Sequence, residues 1–311
     1  MQDAFRVSFV IIAIHAAWIG VSLVFLGAVN GLSSDGITPG LLVAPAVFVH
    51  ICLAALATAF FMVYASEPLR DRHRLRLGFI GFSILLTVVI FALSRRLEPG
   101  SHIPLWSLKT LNTANLIVFA NLLGSWITAP LKRPAEMVPL CAVVTLADLF
   151  SVFKGPSRKI IESLTVYYET GMVGPPPVAD FLLLKITVPG IGESMPVFGV
   201  SDWIIIAFFS AAAVKFGFND NLAGKSITDM QSHRRIGFYL PVSVIGLFLA
   251  VLAAQALGVF IPALPVVVTF YMLDMMIRCP DARKIKRSDW LATGGAAFMM
   301  ISLMLVYGKL Q

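Results

Sequence analysis

The sequence contains few charged residues: Lys, Arg, Asp and Glu make up 13% of its 311 residues, whereas soluble domains have about 25%. Hydrophobic residues make up 58% of the chain. A water-soluble fold of this length has far more apolar surface than 41 charged side chains can cover. The composition therefore excludes a soluble enzyme and a disordered chain, and it predicts a membrane protein.

Cysteine and histidine are also scarce, with three and five residues respectively. Cys52, Cys141 and Cys279 lie in or beside apolar segments, which indicates packing residues rather than a disulfide framework. His15 and His50 lie in apolar segments without a second ligand nearby, so we interpret them as hydrogen-bonded packing residues rather than as a proton relay. The sequence shows no metal-ligand spacing, phosphate-binding loop or nucleophile elbow.

The basic residues give a net charge of +7. They are grouped in short gaps between apolar segments, which is typical of membrane topology, and we therefore discard nucleic acid as a partner. Most of the 24 Lys and Arg residues lie on one predicted membrane face, which by the positive-inside rule is the cytoplasmic face. We expect an integral, multi-pass protein of a prokaryotic cytoplasmic membrane.

Nine apolar segments are long enough, or nearly so, to cross the roughly 30 Å hydrocarbon core as helices. They predict an all-α membrane protein, a polytopic bundle of about nine transmembrane helices. The predicted spans are 7–28, 41–65, 77–93, 112–129, 136–153, 197–217, 236–258, 262–278 and 289–308. Residues 1–135 form a predicted N-terminal part with four spans, and residues 136–311 form a second part with five.

The 154–196 loop is the long connection between the predicted spans. From Gly155 to Glu169 the apolar residues recur at helical spacing, which predicts a helix lying along the membrane surface. Residues 181–188 are mostly apolar and are bounded by proline and glycine, which predicts a short strand. A lone strand leaves backbone groups without partners, so it needs another piece of the loop or an incoming chain.

Three acidic residues lie well inside the predicted spans: Asp148, Asp202 and Asp274. An ionisable side chain in a bilayer costs at least a few kcal/mol, so each is a candidate functional residue. Asp148 lies five residues before the end of the fifth span, and Asp202 lies five residues after the start of the sixth. Because consecutive spans are antiparallel, both carboxyls are predicted at roughly 7–8 Å from the same face. Asp274 lies near the other face and is expected to pair with Arg278.

Two carboxyls at one depth in a low-dielectric site are expected to share a proton and titrate as a coupled pair. That is the arrangement of aspartic proteases, in which one carboxylate takes a proton from water while the other carboxyl donates one to the scissile carbonyl. Spacing alone leaves two other uses open. The same acids could bind ions or protons in a transporter, or pair with Lys or Arg for structure.

Three blocks of sequence accompany these acids. The first is LADLFSV at 146–152 with KGPSR at 154–158, the second is FGVSD at 198–202, and the third is PALP at 262–265 with Thr-Phe at 269–270. In this order they resemble the Asp-containing helix with its KGPxR extension, the Gly-x-Gly-Asp motif and the PAL motif of the presenilin and signal peptide peptidase family. The resemblance covers about residues 136–278.

The resemblance implies a presenilin-like fold and an intramembrane aspartyl protease that cleaves transmembrane or signal peptides, with Asp148 and Asp202 as the catalytic pair. It implies no metal or organic cofactor, and its partners are peptide substrates and the lipid bilayer. It also implies that the PAL segment and strand-forming residues near the second acid hold the substrate, because an unwound helix needs new backbone partners. The predicted substrate-binding residues are Pro262, Ala263, Leu264, Gly199, Ser201, Leu184, Ile186 and Val188.

The sequence departs from the family pattern at three points. Ser201 replaces the second glycine of the Gly-x-Gly-Asp motif; serine is small and can hydrogen-bond a neighbouring carboxyl, so we expect a working but tuned site. A scaffold that holds peptides without cutting them is the alternative. Ala147 stands where presenilin has tyrosine. Four spans precede Asp148 and one follows the Pro262 helix, whereas presenilin has five and none.

Overall fold

The computed structural model describes residues 2–32, 40–97, 102–153, 155–170, 176–188, 194–257 and 261–310. Within these ranges the chain forms twelve α-helices, two β-strands and three short 3₁₀ turns, which confirms the predicted all-α class. The helices are α1 (Gln2–Leu32), α2 (Gly40–Tyr64), α3 (Ser66–Arg70), α4 (His73–Ser94), α5 (His102–Thr128), α6 (Met137–Phe153), α7 (Pro156–Glu169), α8 (Val200–Phe216), α9 (Ile227–His233), α10 (Val242–Leu257), α11 (Ala263–Arg278) and α12 (Arg287–Leu310).

Each predicted span coincides with one of these helices, although several ends differ. Four helical segments in the described ranges are long and apolar enough to cross a membrane: Gln2–Gly27, Leu42–Tyr64, His73–Ser94 and Pro134–Val152. They support the predicted membrane-protein character. The nine-span topology stays a prediction, because α8, α10 and α11 have 17, 16 and 16 residues and rise only about 24–26 Å.

The loop between α6 and α8 contains a helix and a β-hairpin. Helix α7 occupies the predicted helical segment and begins with proline, which is favoured in the first helical turn. Strand β1 (Leu183–Thr187) lies within the predicted strand, and it pairs antiparallel with β2 (Ser194–Gly199). The partner of β1 is therefore another segment of the same chain. The predicted turn signals at 174–175 and 189–190 lie outside the described residues.

Strand β2 includes the first three residues of the predicted sixth span, so the predicted start of that span at Val197 is wrong. Helix α8 begins at Val200 instead. Val197 and Phe198 are apolar and are predicted as part of a helix, but both lie in the strand that pairs with β1. Phe198 pairs with Leu184, and Val197 lies at the irregularity in the register between Phe198 and Pro196. Pairing of the two strands gives hydrogen-bond partners to the backbone groups of both, and here it overrides the local hydrophobic pattern.

Helix α8 packs closely against α5. A Cβ atom built on Gly124 of α5 would lie 2.6 Å from the backbone nitrogen of Phe208 and 2.9 Å from the Cβ of Ala207. The hydroxyl of Thr128, one turn after Gly124, is 3.3 Å from the carbonyl oxygen of Phe208. Small residues allow such close helix packing in membranes. Gly124 therefore determines how near α8 can lie to α5.

We expect Gly124→Ala to lower the free energy of unfolding by about 1–3 kcal/mol, because the new methyl group overlaps main-chain atoms of α8 that cannot rotate away. Gly81→Ala in α4 is the matched control, since its Cβ would meet no described atom within 4 Å. Alanine is the better helix former, so this control should be neutral or more stable by up to about 1 kcal/mol. Thermal unfolding in detergent compares the two, and equal midpoints would contradict the close contact.

Candidate active site

Asp148 lies near the C-terminal end of α6, and its carboxylate reaches the start of α11. The backbone N–H of Leu264 donates a hydrogen bond to Asp148 Oδ2 at 3.2 Å. Pro262 is the N-cap of α11, so the amide of Leu264 belongs to the first turn and has no partner within its own helix. The carboxylate satisfies this amide and lies at the positive end of the helix dipole. The first and third sequence blocks thus meet directly.

Asp202 lies in the first turn of α8. The backbone N–H of Gly199 donates to Asp202 Oδ2 at 3.0 Å, which closes the start of the helix. Because α8 begins at Val200, the predicted position of Asp202, five residues inside a span, is wrong. Asp148 does lie five residues before the end of its helix at Phe153, as the sequence predicts. Each carboxylate therefore accepts a hydrogen bond from an amide at a helix N-terminus.

The two acids are brought together although they come from different helices. Their carboxyl groups lie within range of a mutual electrostatic interaction. Helix α11 packs against both α6 and α8, so the third sequence block lies against the helices of both acids. Neither Asp148 nor Asp202 forms a salt bridge with any Lys or Arg that the structure describes. This arrangement disfavours a purely structural ion pair.

Small residues border Asp202. Gly199 and Asp202 are partly buried, and Ser201 is exposed between them. A Cβ atom on Gly199 would lie 3.1 Å from Ser201 Oγ and 3.6 Å from Asp202 Oδ2, so the hydroxyl and the carboxylate are both close to this glycine. In the described part of the chain, the Ser201 hydroxyl makes no hydrogen bond to Asp202. Ser201, which replaces the second glycine of the Gly-x-Gly-Asp pattern, is therefore next to the acid in the chain and does not hydrogen-bond to it.

The hairpin residues predicted to hold substrate are buried. Leu184, Ile186 and Val188 are at most 1% exposed and pack in the hydrophobic core. The main chain of β1 is also engaged, because the Lys185 N–H donates to Thr113 Oγ1 of α5 at 3.1 Å. These three side chains therefore anchor the hairpin in the hydrophobic core and are not accessible to a substrate. Strand β2 is the one that leads directly into α8 and Asp202.

The sequence does not predict one further buried acid, Asp220. It lies in the loop that follows the C-terminal end of α8, whereas Asp202 lies at the N-terminal end of that helix. Asp220 is 2% exposed, and its Oδ2 accepts a hydrogen bond from the hydroxyl of Tyr239 at 2.7 Å. Its Oδ1 is buried and has no partner among the described residues. Burial raises the pKa of Asp220 to about 7. The surrounding Asn- and Gly-containing loop reads as a solvated connection, so no sequence signal marks this residue.

The structure agrees with the predictions for Asp274 and for the two histidines in apolar segments. Asp274 pairs with Arg278 at 2.6 Å, and the guanidinium of Arg278 also donates to two carbonyls that flank Asp220. The Nδ1 atoms of His15 and His50 each lie 2.8 Å from a carbonyl oxygen one turn earlier in their helices. The two histidines therefore each have a hydrogen-bond partner in their own helix, and Asp274 has a basic partner.

We expect Asp220 to make stability depend on pH. The folded protein keeps its proton up to about pH 7, whereas an unfolded chain releases it near pH 4. The contribution of this group to stability is therefore greatest below about pH 4 and falls as the pH rises to about 7. Asp220→Asn should remove this slope and raise stability at pH 8 by roughly 2–4 kcal/mol.

Unfolding midpoints measured in detergent between pH 4 and 8 test this prediction. Asp281→Asn is the control, because Asp281 is exposed and pairs with the exposed Lys284. The slope of the control should match that of the wild type. An Asp220→Asn protein whose slope is also unchanged would show that Asp220 is ionised in the folded state at neutral pH.

Comparison with known proteins adds no family assignment. No protein-family model, no curated protein and no solved structure matches this chain. The functional interpretation therefore depends on the site itself: two neighbouring acids, each oriented by a helix-terminal amide.

Proposed function

We propose that this protein is an intramembrane aspartyl protease that hydrolyses peptide bonds in transmembrane or signal peptides, as its sequence blocks suggest. The observation that carries the proposal is the placement of Asp148 and Asp202 within interaction range, without a basic partner among the described residues. Ionising both acids in a low-dielectric site is unfavourable, so the pair holds one proton between two carboxyls. An aspartic protease needs that protonation state.

In the proposed reaction, the ionised carboxyl removes a proton from a water molecule, whose oxygen attacks the scissile carbonyl carbon. The protonated carboxyl donates its proton to the carbonyl oxygen, which gives a gem-diol intermediate. The first acid then protonates the amide nitrogen, the C–N bond breaks, and the second acid recovers its proton from a hydroxyl of the intermediate. Water is the only co-reactant, and both carboxyls return to their starting states.

The two amide–carboxylate hydrogen bonds suit this role because they orient the acids without neutralising them. Each bond uses the Oδ2 atom, and neither Oδ1 atom has a hydrogen-bond partner among the described residues. Those oxygens are the ones that water and substrate would contact. Pro262 has no N–H to donate, and its fixed φ angle holds the start of α11 against Asp148.

Substrate binding in this proposal involves two groups of residues. Gly199 and Ser201 lie beside Asp202, while Pro262, Ala263 and Leu264 lie beside Asp148, so these five border the reacting peptide. Leu184, Ile186 and Val188 act indirectly, because their buried side chains hold the hairpin in place. An unwound substrate would add its backbone to the β2 edge, which replaces the hydrogen bonds lost from its own helix.

The proposed topology has nine spans, with the acid pair facing away from the cytoplasm. Cysteine labelling in intact cells tests it: in a variant whose three native cysteines are replaced, Ser163→Cys in α7 should react with an impermeant maleimide. Ser232→Cys in α9 lies on the basic side of the bundle and should be protected. Both serines are exposed, so the contrast reports location rather than burial. The reverse pattern would overturn the orientation.

The proposed activity is tested with purified wild-type protein in proteoliposomes and a labelled transmembrane peptide. We expect fragments whose new termini lie inside the hydrophobic segment, with a bell-shaped dependence of rate on pH. A peptide analogue with a hydroxyl group in place of the scissile carbonyl should inhibit, because it resembles the gem-diol. Intact peptide at every pH would favour a non-cleaving scaffold, and a flat pH profile would exclude the coupled pair.

A further inference from the structure

A charged cavity lies at the end of the bundle remote from the acid pair. It has a volume of about 360 Å³ and is lined by Gln2, Asp3, Arg6, Tyr64 and Arg234. These residues come from the start of α1, the end of α2 and the residue that follows α9. Segments far apart in the sequence therefore build one concave, polar site.

Specific contacts hold the walls of this cavity together. The hydroxyl of Tyr64 donates to the carbonyl oxygen of Arg234 at 2.8 Å, and the Gln231 amide donates to the carbonyl oxygen of Met62 at 2.7 Å. Both bonds attach α9 to the end of α2. On the opposite wall, Arg72 forms a salt bridge with Asp3 at 2.7 Å. The cavity is thus a built feature of the fold rather than a gap between loose side chains.

The cavity retains uncompensated positive charge. Asp3, the acidic residue of the lining, is already paired with Arg72, and the contact between Arg6 and Glu67 is long, at 4.0 Å. Arg234 has no acidic partner in the described part of the protein. The segments that surround the cavity carry eight basic and four acidic residues: Arg6, Arg70, Arg72, Arg74, Arg76, Lys225, Arg234 and Arg235, against Asp3, Glu67, Asp71 and Asp229. This excess of positive charge favours an anionic ligand.

An apolar stripe begins next to the cavity. Phe5, Phe9 and Ile12 of α1 are 76%, 60% and 66% exposed, and their spacing of four and three residues places them on one helix face. In a spanning helix such a face lies against lipid acyl chains. Arg6 directly precedes the predicted first span, 7–28, so a bilayer that covers this span would bring its lipid phosphates close to the cavity.

We propose that this cavity binds the phosphate of an anionic phospholipid, with Arg6 and Arg234 as its ligands. Guanidinium groups suit a phosphate because they donate two parallel hydrogen bonds to it, and basic pockets at the cytoplasmic ends of membrane helices attract anionic lipids. The acyl chains would follow the Phe5–Phe9–Ile12 face. Free inorganic phosphate shares the headgroup chemistry but cannot use that face. This site is independent of the proposed proteolysis.

The test measures thermal unfolding of the purified full-length protein in an uncharged detergent at constant ionic strength. Three probes are titrated: dioctanoyl phosphatidylglycerol, dioctanoyl phosphatidylcholine and inorganic phosphate. We expect a saturable rise of the unfolding midpoint with phosphatidylglycerol, and none with phosphatidylcholine. Arg6→Gln and Arg234→Gln should each raise the apparent Kd for phosphatidylglycerol about fivefold. Arg6→Lys, which keeps the charge, should lose less affinity than Arg6→Gln.

Arg74→Gln is the matched control, because it removes one positive charge from the same end of the bundle without touching the cavity. It should change the apparent Kd by less than twofold. An equal loss in this control would mean that phosphatidylglycerol responds to overall charge, which overturns the site. Equal shifts with both lipids, or phosphate that binds as tightly as phosphatidylglycerol, would overturn the lipid assignment. Arg234→Gln decides the outcome if Arg6→Gln fails to fold.

Discussion

Asp148→Asn and Asp202→Asn should each abolish cleavage of a transmembrane peptide in proteoliposomes, with a loss in rate on the order of 10³-fold or more. Asparagine can neither accept a proton from water nor donate one to the scissile carbonyl. Its side-chain oxygen still accepts the hydrogen bond that the helix-terminal amide now gives to each acid. The loss should therefore occur in kcat while the fold is kept.

Two comparisons separate this chemical effect from a structural one. The double variant should be no less active than either single variant, because residues that act as a unit are not additive. Asp281→Asn, which alters an exposed acid, should cleave at the wild-type rate. Thermal unfolding of all variants should stay close to that of the wild type. Cleavage above a tenth of the wild-type rate in either single variant would remove the acid pair from the mechanism.

Lys185→Met and Asp180→Asn should each lower the free energy of unfolding by about 3–5 kcal/mol. The two side chains form a salt bridge between β1 and the turn that precedes it, and they are 4% and 1% exposed. Tyr168 of α7 also hydrogen-bonds to Asp180, so the pair joins α7 to the hairpin. Removing one partner leaves a buried polar group without its counter-charge, which is the costly situation.

The exposed pair Lys284–Asp281 provides the control for this prediction, with side chains 78% and 67% exposed. Lys284→Met should cost less than about 1 kcal/mol, since solvent screens such pairs. The double variant Lys185→Met with Asp180→Asn should recover part of the loss, because no buried charge is left unpaired. Denaturant unfolding provides all four values. Equal losses in the buried and exposed pairs would contradict the predicted contribution of burial.

The helices of this protein are largely predictable from local pattern, as the correspondence of every predicted span with a helix shows. A long apolar segment must satisfy its own backbone groups in lipid, and a helix does so without any partner. The start of α8 is the exception. Val197 and Phe198 extend the apolar segment, yet they form a strand because residues 183–187 lie alongside them. A local pattern contains no information about that neighbour.

The positions of the long helices, apart from the start of α8, can be predicted from the sequence. The pairing of Asp274 with Arg278 one turn later can also be predicted, because it depends on residues close together in the chain. The folded structure is needed to see that the amide of Leu264 contacts Asp148, that Leu184 and Ile186 are buried, and that Asp220 is enclosed beside Tyr239. Those features depend on which distant segments pack together, and packing sets both the solvation of a carboxyl and the donors within its reach.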